Sequence, residues 1–299
     1  MKKEFLAAAL LLLLAVPEYT NAQNTALGFT RMDRNPRTSA LAGAGAASTG
    51  NGWYGAFSHA AQLGYALDKA DVGAGLQFWE PSNDADKTTN LHGGAAVRFG
   101  NLGVALGGAI QMGVEQGSYT PTDRLMSLGV AYNIQDVVSI GLNGRYAAQS
   151  LTQEAKLGAF SLDFSVMGCI TPNLSLAVGV GNIGPKVQGS LAEYEQPAHL
   201  FGGLAWVLAP AKDHRIETML DAEYNFDGSY AAALGAEYAY NKMLFARAGY
   251  RLASTKAPIP SHLAMGAGFR FGGFRLEASY LAASEMLGGS FCVGAGFTF

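Results

Sequence analysis

Charge is scarce in this chain: Asp, Glu, Lys and Arg make up 14% of its 299 residues, against roughly 25% in a typical soluble domain. That is too little to solvate an ordinary globule. Long apolar runs are scarcer still. The only one is Phe5 to Val16, and a helix that crosses a bilayer needs about 20 apolar residues, so no segment spans a membrane as a helix. Two cysteines, Cys169 and Cys292, are too few for a disulfide scaffold. A net charge of −3 and a pI near 6.0 leave no basic stripe and argue against nucleic acid as a partner. The five histidines, His59, His92, His199, His214 and His262, show no metal-ligand spacing and no fixed relation to a Ser and an acid. The sequence therefore calls for no metal, no cofactor and no enzymatic activity. Its one match to a dinucleotide fingerprint, "GVGNIG" at Gly179–Gly184, runs into Pro185 and a loop rather than a helix N-terminus, so it is read as a glycine-rich strand.

What is abundant is glycine, 39 residues, and strict alternation. "SFCVGAGFTF" at the end of the chain places Phe291, Val293, Ala295, Phe297 and Phe299 on one side and Cys292, Gly294, Gly296 and Thr298 on the other, the period of a β-strand. The same unit recurs from Val72 onward. Strands are expected at Val72–Trp79, Asn90–Phe99, Leu102–Met112, Asp123–Asn133, Val137–Ala148, Ala155–Cys169 and Leu174–Asn182. They continue at Ala198–Leu208, His214–Tyr224, Ser229–Tyr240, Met243–Leu252, Ser261–Phe271, Phe274–Ala282 and Gly289–Phe299. Tight turns such as Gly100-Asn101, Asn241-Lys242 and Gly272-Gly273 alternate with longer connections such as "EPSNDADKTT" and "IGPKVQGSLAEYEQP". An even strand number with short turns at one end and long loops at the other is the signature of an outer-membrane barrel.

The expected fold is thus all-β, a transmembrane antiparallel β-barrel of about 14 strands. Residues 67–299 would form the barrel, and 23–66 an N-terminal segment lying either in the lumen as a hatch or in the periplasm as a tail. Residues 1–22 read as a signal peptide, with Lys2 and Lys3 before the apolar run and small residues Thr20-Asn21-Ala22 before Gln23. Sec export and integral residence in the outer membrane, with its lipid as neighbour, follow from that reading. The terminal aromatics Phe297 and Phe299 resemble the signal read by the barrel-assembly machinery.

Lumen-phase charges concentrate in the C-terminal half: Glu217, Asp221, Glu223, Glu237, Arg247, Arg251, Arg270, Arg275 and Glu277. Such charges either pair with one another as filling or line a path for an ion or substrate. "RMDRNPR" supplies Arg31, Arg34, Asn35, Pro36 and Arg37, and its arginines would face Asp221, Glu223 and Glu237 if the segment enters the lumen.

Three stretches resemble a known family. "FTRMDRNPRTSALAGAGAASTG" (Phe29–Gly50) is similar to the N-terminal segment of the PorV/PorQ proteins, with an Asn-Pro-Arg element before a Gly-Ala run. "GNIGPKVQG…QPAHLFGGLAW" (Gly181–Trp206) and "LGAEYAYNKMLFARAGYR" (Leu234–Arg251) resemble that family's Asn-x-Gly strand end and one of its hairpins. Where the family has Asn-Pro-Ala after the Gly-Ala run, this chain has Ser58-His59-Ala60-Ala61. The resemblance implies a FadL-like barrel of Bacteroidetes-type outer membranes. It also implies a role as accessory or shuttle in type IX protein secretion and surface attachment, with secretion components or cargo as partners. The alternative that the architecture implies is passive transport of hydrophobic small molecules.

Overall fold

In the computed structural model, residues 25–66, 69–80, 87–189, 192–282 and 289–299 are described. The signal-peptide reading lies outside them. The strands are β1 (Ala70–Trp79), β2 (Thr88–Phe99), β3 (Leu102–Gly113), β4 (Thr122–Ile134), β5 (Val138–Ser150), β6 (Lys156–Thr171) and β7 (Leu174–Ile183), then a two-residue pair, β8 (Val187–Gln188) and β9 (Glu193–Tyr194). They are followed by β10 (His199–Ala211), β11 (His214–Asn225), β12 (Tyr230–Tyr240), β13 (Leu244–Ala253), β14 (His262–Phe271), β15 (Phe274–Ala282) and β16 (Ser290–Thr298). All except β8 and β9 form one closed antiparallel barrel of fourteen strands, each paired with its chain neighbour and β16 closing on β1. Each expected strand is present, most ends falling within one or two residues. β6 and β10 run further toward the tight turns than alternation alone indicated.

Alternation sorts the side chains as a membrane barrel requires. On β12, Tyr230, Leu234, Tyr238 and Tyr240 stand exposed outside while Ala231, Ala233, Glu237 and Ala239 are buried within. Exposed aromatics gather toward both ends of the wall. Phe99, Tyr132, Trp206, Tyr240, Phe271 and Phe274 lie toward the tight turns, and Tyr146, Phe160, Tyr224, Tyr230, Tyr280 and Phe291 toward the long loops, with Leu, Val and Ala between. Such a pattern of aromatic girdles around an apolar band is that of an outer-membrane barrel.

The seam is fixed by more than backbone pairing. Asp71 of β1 accepts from the hydroxyl of Thr298 at 3.1 Å, from the backbone N–H of Trp53 at 2.9 Å and from Arg275 of β15 at 3.3 Å. Phe297 packs edge-on against Phe274 and Phe299, and the Phe299 N–H reaches the Ala70 carbonyl at 2.9 Å.

One interruption matters. β7 ends at the height of Leu162, while β6 continues to Lys156. Asn182, at φ 55, makes the bulge there, and its N–H donates to Asp163 Oδ1 at 2.7 Å. Beyond it the loop of residues 184–197 stands in for a strand: the Gln196 amide donates to the carbonyls of Phe160 and Pro185, each at 2.9 Å.

Residues 25–66 run inside the barrel. Wall glycines make room for them. A Cβ on Gly141 would lie 2.1 Å from the Ala61 backbone N, and one on Gly249 would lie 2.3 Å from the Leu41 carbonyl carbon. Because backbone cannot give way cheaply, Gly141→Val displaces the segment and destabilises the protein by about 3 kcal/mol, the upper range of overpacking. Gly144→Val on the same strand, where a Cβ meets nothing closer than 3.9 Å, changes little. Thermal unfolding of the two variants in detergent checks the contrast.

Candidate functional site, a plugged lumen with a cavity at each end

The "NPR" element builds the plug. Asn35 is the N-cap of a short helix, Pro36–Ala40, its side chain accepting from the Arg37 N–H at 3.0 Å, and Pro36 supplies a preset first position. This cap aims Arg37 into the centre of the lumen, where it is 2% exposed. Its guanidinium donates five hydrogen bonds: to Glu237 Oε2 at 2.8 Å and Oε1 at 3.1 Å, to Glu217 at 3.1 Å, to Ser48 Oγ at 2.6 Å and to Asn51 Oδ1 at 3.0 Å. All five N–H donors of the fork are thereby used.

Around this pair the wall charges form one network. Arg247 bridges Glu237 at 2.6 Å and Glu277 at 3.0 Å; Arg275 reaches Asp71 at 3.3 Å and Glu277 at 3.7 Å; Arg270 stands 3.7 Å from Glu277. Nearer the loops, Glu223 pairs with Arg31 at 2.8 Å and with Arg251. Two expected partnerships are replaced. Arg34 makes no ion pair with Asp221, Glu223 or Glu237; it donates to the carbonyls of Phe29 and Met32 at 2.9 and 3.0 Å. Asp221 meets no arginine of the segment, because the N–H groups of Gly45 and Ala46 occupy it, both at 2.8 Å. In each case the segment's own backbone polar groups, cut off from water, take the nearest partner.

Those backbone demands account for polar wall residues that charge-based reading passed over. Asn143 accepts from the Ala60 N–H at 2.6 Å and donates to the carbonyls of Gly55 and Ala56. Ser165, Asn133 and Ser175 serve Ala61, Gly64 and Ala47 in the same way. Arg145, paired with Asp163 at 2.5 Å, donates to the Phe57 and Ser58 carbonyls at 2.8 and 2.7 Å. Their signal in the sequence is phase: each is a polar residue on the lumen side of an otherwise apolar strand.

The plug leaves cavities on both sides. At the loop end a mouth of about 440 Å³ is lined by Phe29, Met32, Trp79, Pro121 and Ile259 together with Gln111 and Asp123. Deeper, a cavity of about 170 Å³ lies between plug and wall, with Phe57, Phe201 and Tyr54 among its aromatic lining and Arg31, His59 and Glu223 among its polar lining. Met32 and Ile259 border both. At the turn end a third cavity, about 310 Å³, is ringed by Arg37, Arg215, Arg270 and Arg275 with Glu217 and Glu237. Cys169 and Cys292 are both free thiols.

Burial tunes the plug's ionisable groups. His59, its Nε2 2.7 Å from the Ala46 carbonyl, is held neutral, its pKa lowered to about 4 by burial. Asp33, which keeps part of its surface open to the inner cavity, is still far enough from bulk water that burial pushes its carboxyl up to about 6. Hydrogen bonds from Thr38 Oγ1 at 2.9 Å and the Asn35 N–H at 3.0 Å oppose that rise.

Two outcomes follow. Arg37→Ala removes five buried hydrogen bonds while leaving Glu217 to Arg215 and Glu237 to Arg247, so it costs about 3 kcal/mol, the low end for breaking a buried pair, and Arg37→Lys restores only part because an ammonium cannot make the bidentate contact; unfolding midpoints of the three proteins test this. A carboxyl whose folded pKa is raised stabilises most below its unfolded value, and that contribution is lost as pH rises through about 6. Asp33→Asn keeps an acceptor for both hydrogen bonds, so it flattens the fall in melting temperature between pH 4 and 7.

No family model matches the chain, and a comparison with curated proteins found no match. Solved structures do match. The chain is similar to the CymD monoaromatic hydrocarbon channel, with TM-score 0.67 and 13% identity over 89% of this chain and 97% of that one. It is similar to the Pseudomonas putida toluene transporter TodX, with TM-score 0.64 and 15% identity over 89% and 99%. A Pseudomonas aeruginosa FadL homologue aligns with TM-score 0.55 and 11% identity over 89% and 98%. At these identities the likeness is one of fold: a FadL-like barrel of fourteen strands.

Proposed function

We propose that this protein is an integral outer-membrane channel for passive transport of hydrophobic small molecules, exported through the signal sequence at residues 1–22. One observation carries the reading. The mouth at the loop end, where Phe29, Met32, Trp79 and Ile259 stand among polar residues such as Gln111 and Asp123, shares Met32 and Ile259 with the inner cavity, so a hydrophobic solute has adjoining sites leading from the outer face into the lumen. The fold supports it, since the barrels matched over nearly their whole lengths are described as a hydrocarbon channel and a toluene transporter. That likeness favours transport over the secretion and surface-attachment role implied by the PorV/PorQ resemblance. In this reading the buried ion pairs serve to seat the plug.

Cells whose outer membrane carries the protein take up radiolabelled toluene faster than cells without it. Ile259→Arg, which puts a charge where the two cavities meet, cuts the gain at least fivefold while leaving the barrel folded in a heat-modifiability gel. An uptake rate equal to that of cells lacking the barrel, together with stoichiometric co-purification of a secreted protein, would return the assignment to secretion.

A further inference from the structure

Among the described residues, five guanidinium groups at the turn end of the lumen, those of Arg37, Arg215, Arg247, Arg270 and Arg275, are joined in one network and share four carboxylates. Asp71 serves Arg275. Glu217 serves Arg37 and Arg215; Glu237 serves Arg37, Arg215 and Arg247; Glu277 serves Arg247, Arg270 and Arg275. One positive charge is left over. Its place can be read from burial: the side chains of Arg37, Arg247 and Arg275 are 0–9% exposed, whereas those of Arg215 and Arg270 are 36% and 35% exposed and border the 310 Å³ cavity.

Arg270 is the least satisfied of the five. Its one ion pair, to Glu277, is 3.7 Å long, beyond hydrogen-bond distance, and its buried Nε has no partner among the described residues. The guanidinium is held over the Phe245 ring, 4.9 Å from the centroid, which fixes its position without using its donors. Arg270 is also directly opposite Arg275 in the β14–β15 register, and like charges in that relation are destabilising unless something anionic lies between them.

We infer that the turn-end cavity is an oxyanion site, in which Arg270 and Arg215 take a carboxylate or phosphate group. A planar or tetrahedral oxyanion matches the unused donors of a guanidinium fork, and it would complete the charge balance that four carboxylates leave unfinished. The inference stands apart from the transport reading, since it concerns the opposite end of the plug and neither requires nor excludes a hydrophobic cargo.

The test is isothermal titration of the whole protein in an uncharged detergent at constant ionic strength, with inorganic phosphate and with acetate, each replacing chloride. Saturable binding of one of them at one site per chain is expected, and which of the two binds tells phosphate from carboxylate chemistry. Arg270→Gln should weaken it at least tenfold. Arg215→Gln should do the same and stands in if the first variant fails to fold. Arg98→Gln, at the turn end of β2 and outside the lining of this cavity, should bind as the unaltered protein does. Absence of saturable binding for both anions, or binding that survives Arg270→Gln and Arg215→Gln, would overturn the site and leave the excess charge to water alone.

Discussion

The fold turns on a single guanidinium. Arg37 is nearly inaccessible, yet each of its donors is matched, two of the matches coming from the plug itself and three from carboxylates on neighbouring strands β11 and β12. A buried charge with fewer partners would cost several kcal/mol; with all of them it becomes a registration device. The Asn35 cap and Pro36 fix where the side chain starts, and Glu217 and Glu237 fix where it ends. Between those limits the plug has one way to sit.

That constraint propagates to the wall. A fourteen-stranded barrel is too wide for its own side chains to fill, and here many lumen positions carry glycine, alanine or serine, which widens it further. The space is taken by chain rather than by side chains. Chain brings peptide groups, and peptide groups away from water need partners. Asn133, Asn143, Ser165 and Ser175 are the result. The glycine content and the scattered polar wall residues are therefore two consequences of one fact, that backbone from residues 25–66 lies against the strands.

These physical causes also explain what could be read beforehand. The strands were legible because lipid on one side and lumen on the other impose a period of two on every one of them, from Val72 to Phe299. The acids and bases of β11–β15 stood out because charge on one phase of an apolar strand has few other meanings. Which base meets which acid was not legible. Arg31, Arg34 and Arg37 look equivalent in the sequence, yet Arg37 lies one residue past a capped proline and enters the network, while Arg34 is turned back onto the carbonyls of Phe29 and Met32. Asp221 has the same phase as Glu217 and Glu223, but it stands where the glycine-rich chain passes and is taken by Gly45 and Ala46. Such choices depend on the path of an irregular segment, for which sequence carries no period.

The two ends of the plug are held by different forces, and this sets which can yield. At the turn end, contacts are ion pairs and directed hydrogen bonds among Arg37, Arg247, Glu217, Glu237 and Glu277; displacing any member breaks several of them at once. At the loop end, Leu27, Phe29 and Met32 pack with Val187, Leu157 and Tyr194, and the chain is tied to the loop of residues 184–197 by the Ala26 N–H on the Glu195 carbonyl at 3.0 Å. Apolar packing has no preferred direction, and flexible side chains such as Met32 re-pack readily. A hydrophobic solute arriving there replaces one apolar contact with another at little cost, whereas the network beneath offers it nothing. In the transport reading, entry is therefore the easy step, and the polar end of the plug is where passage would be decided.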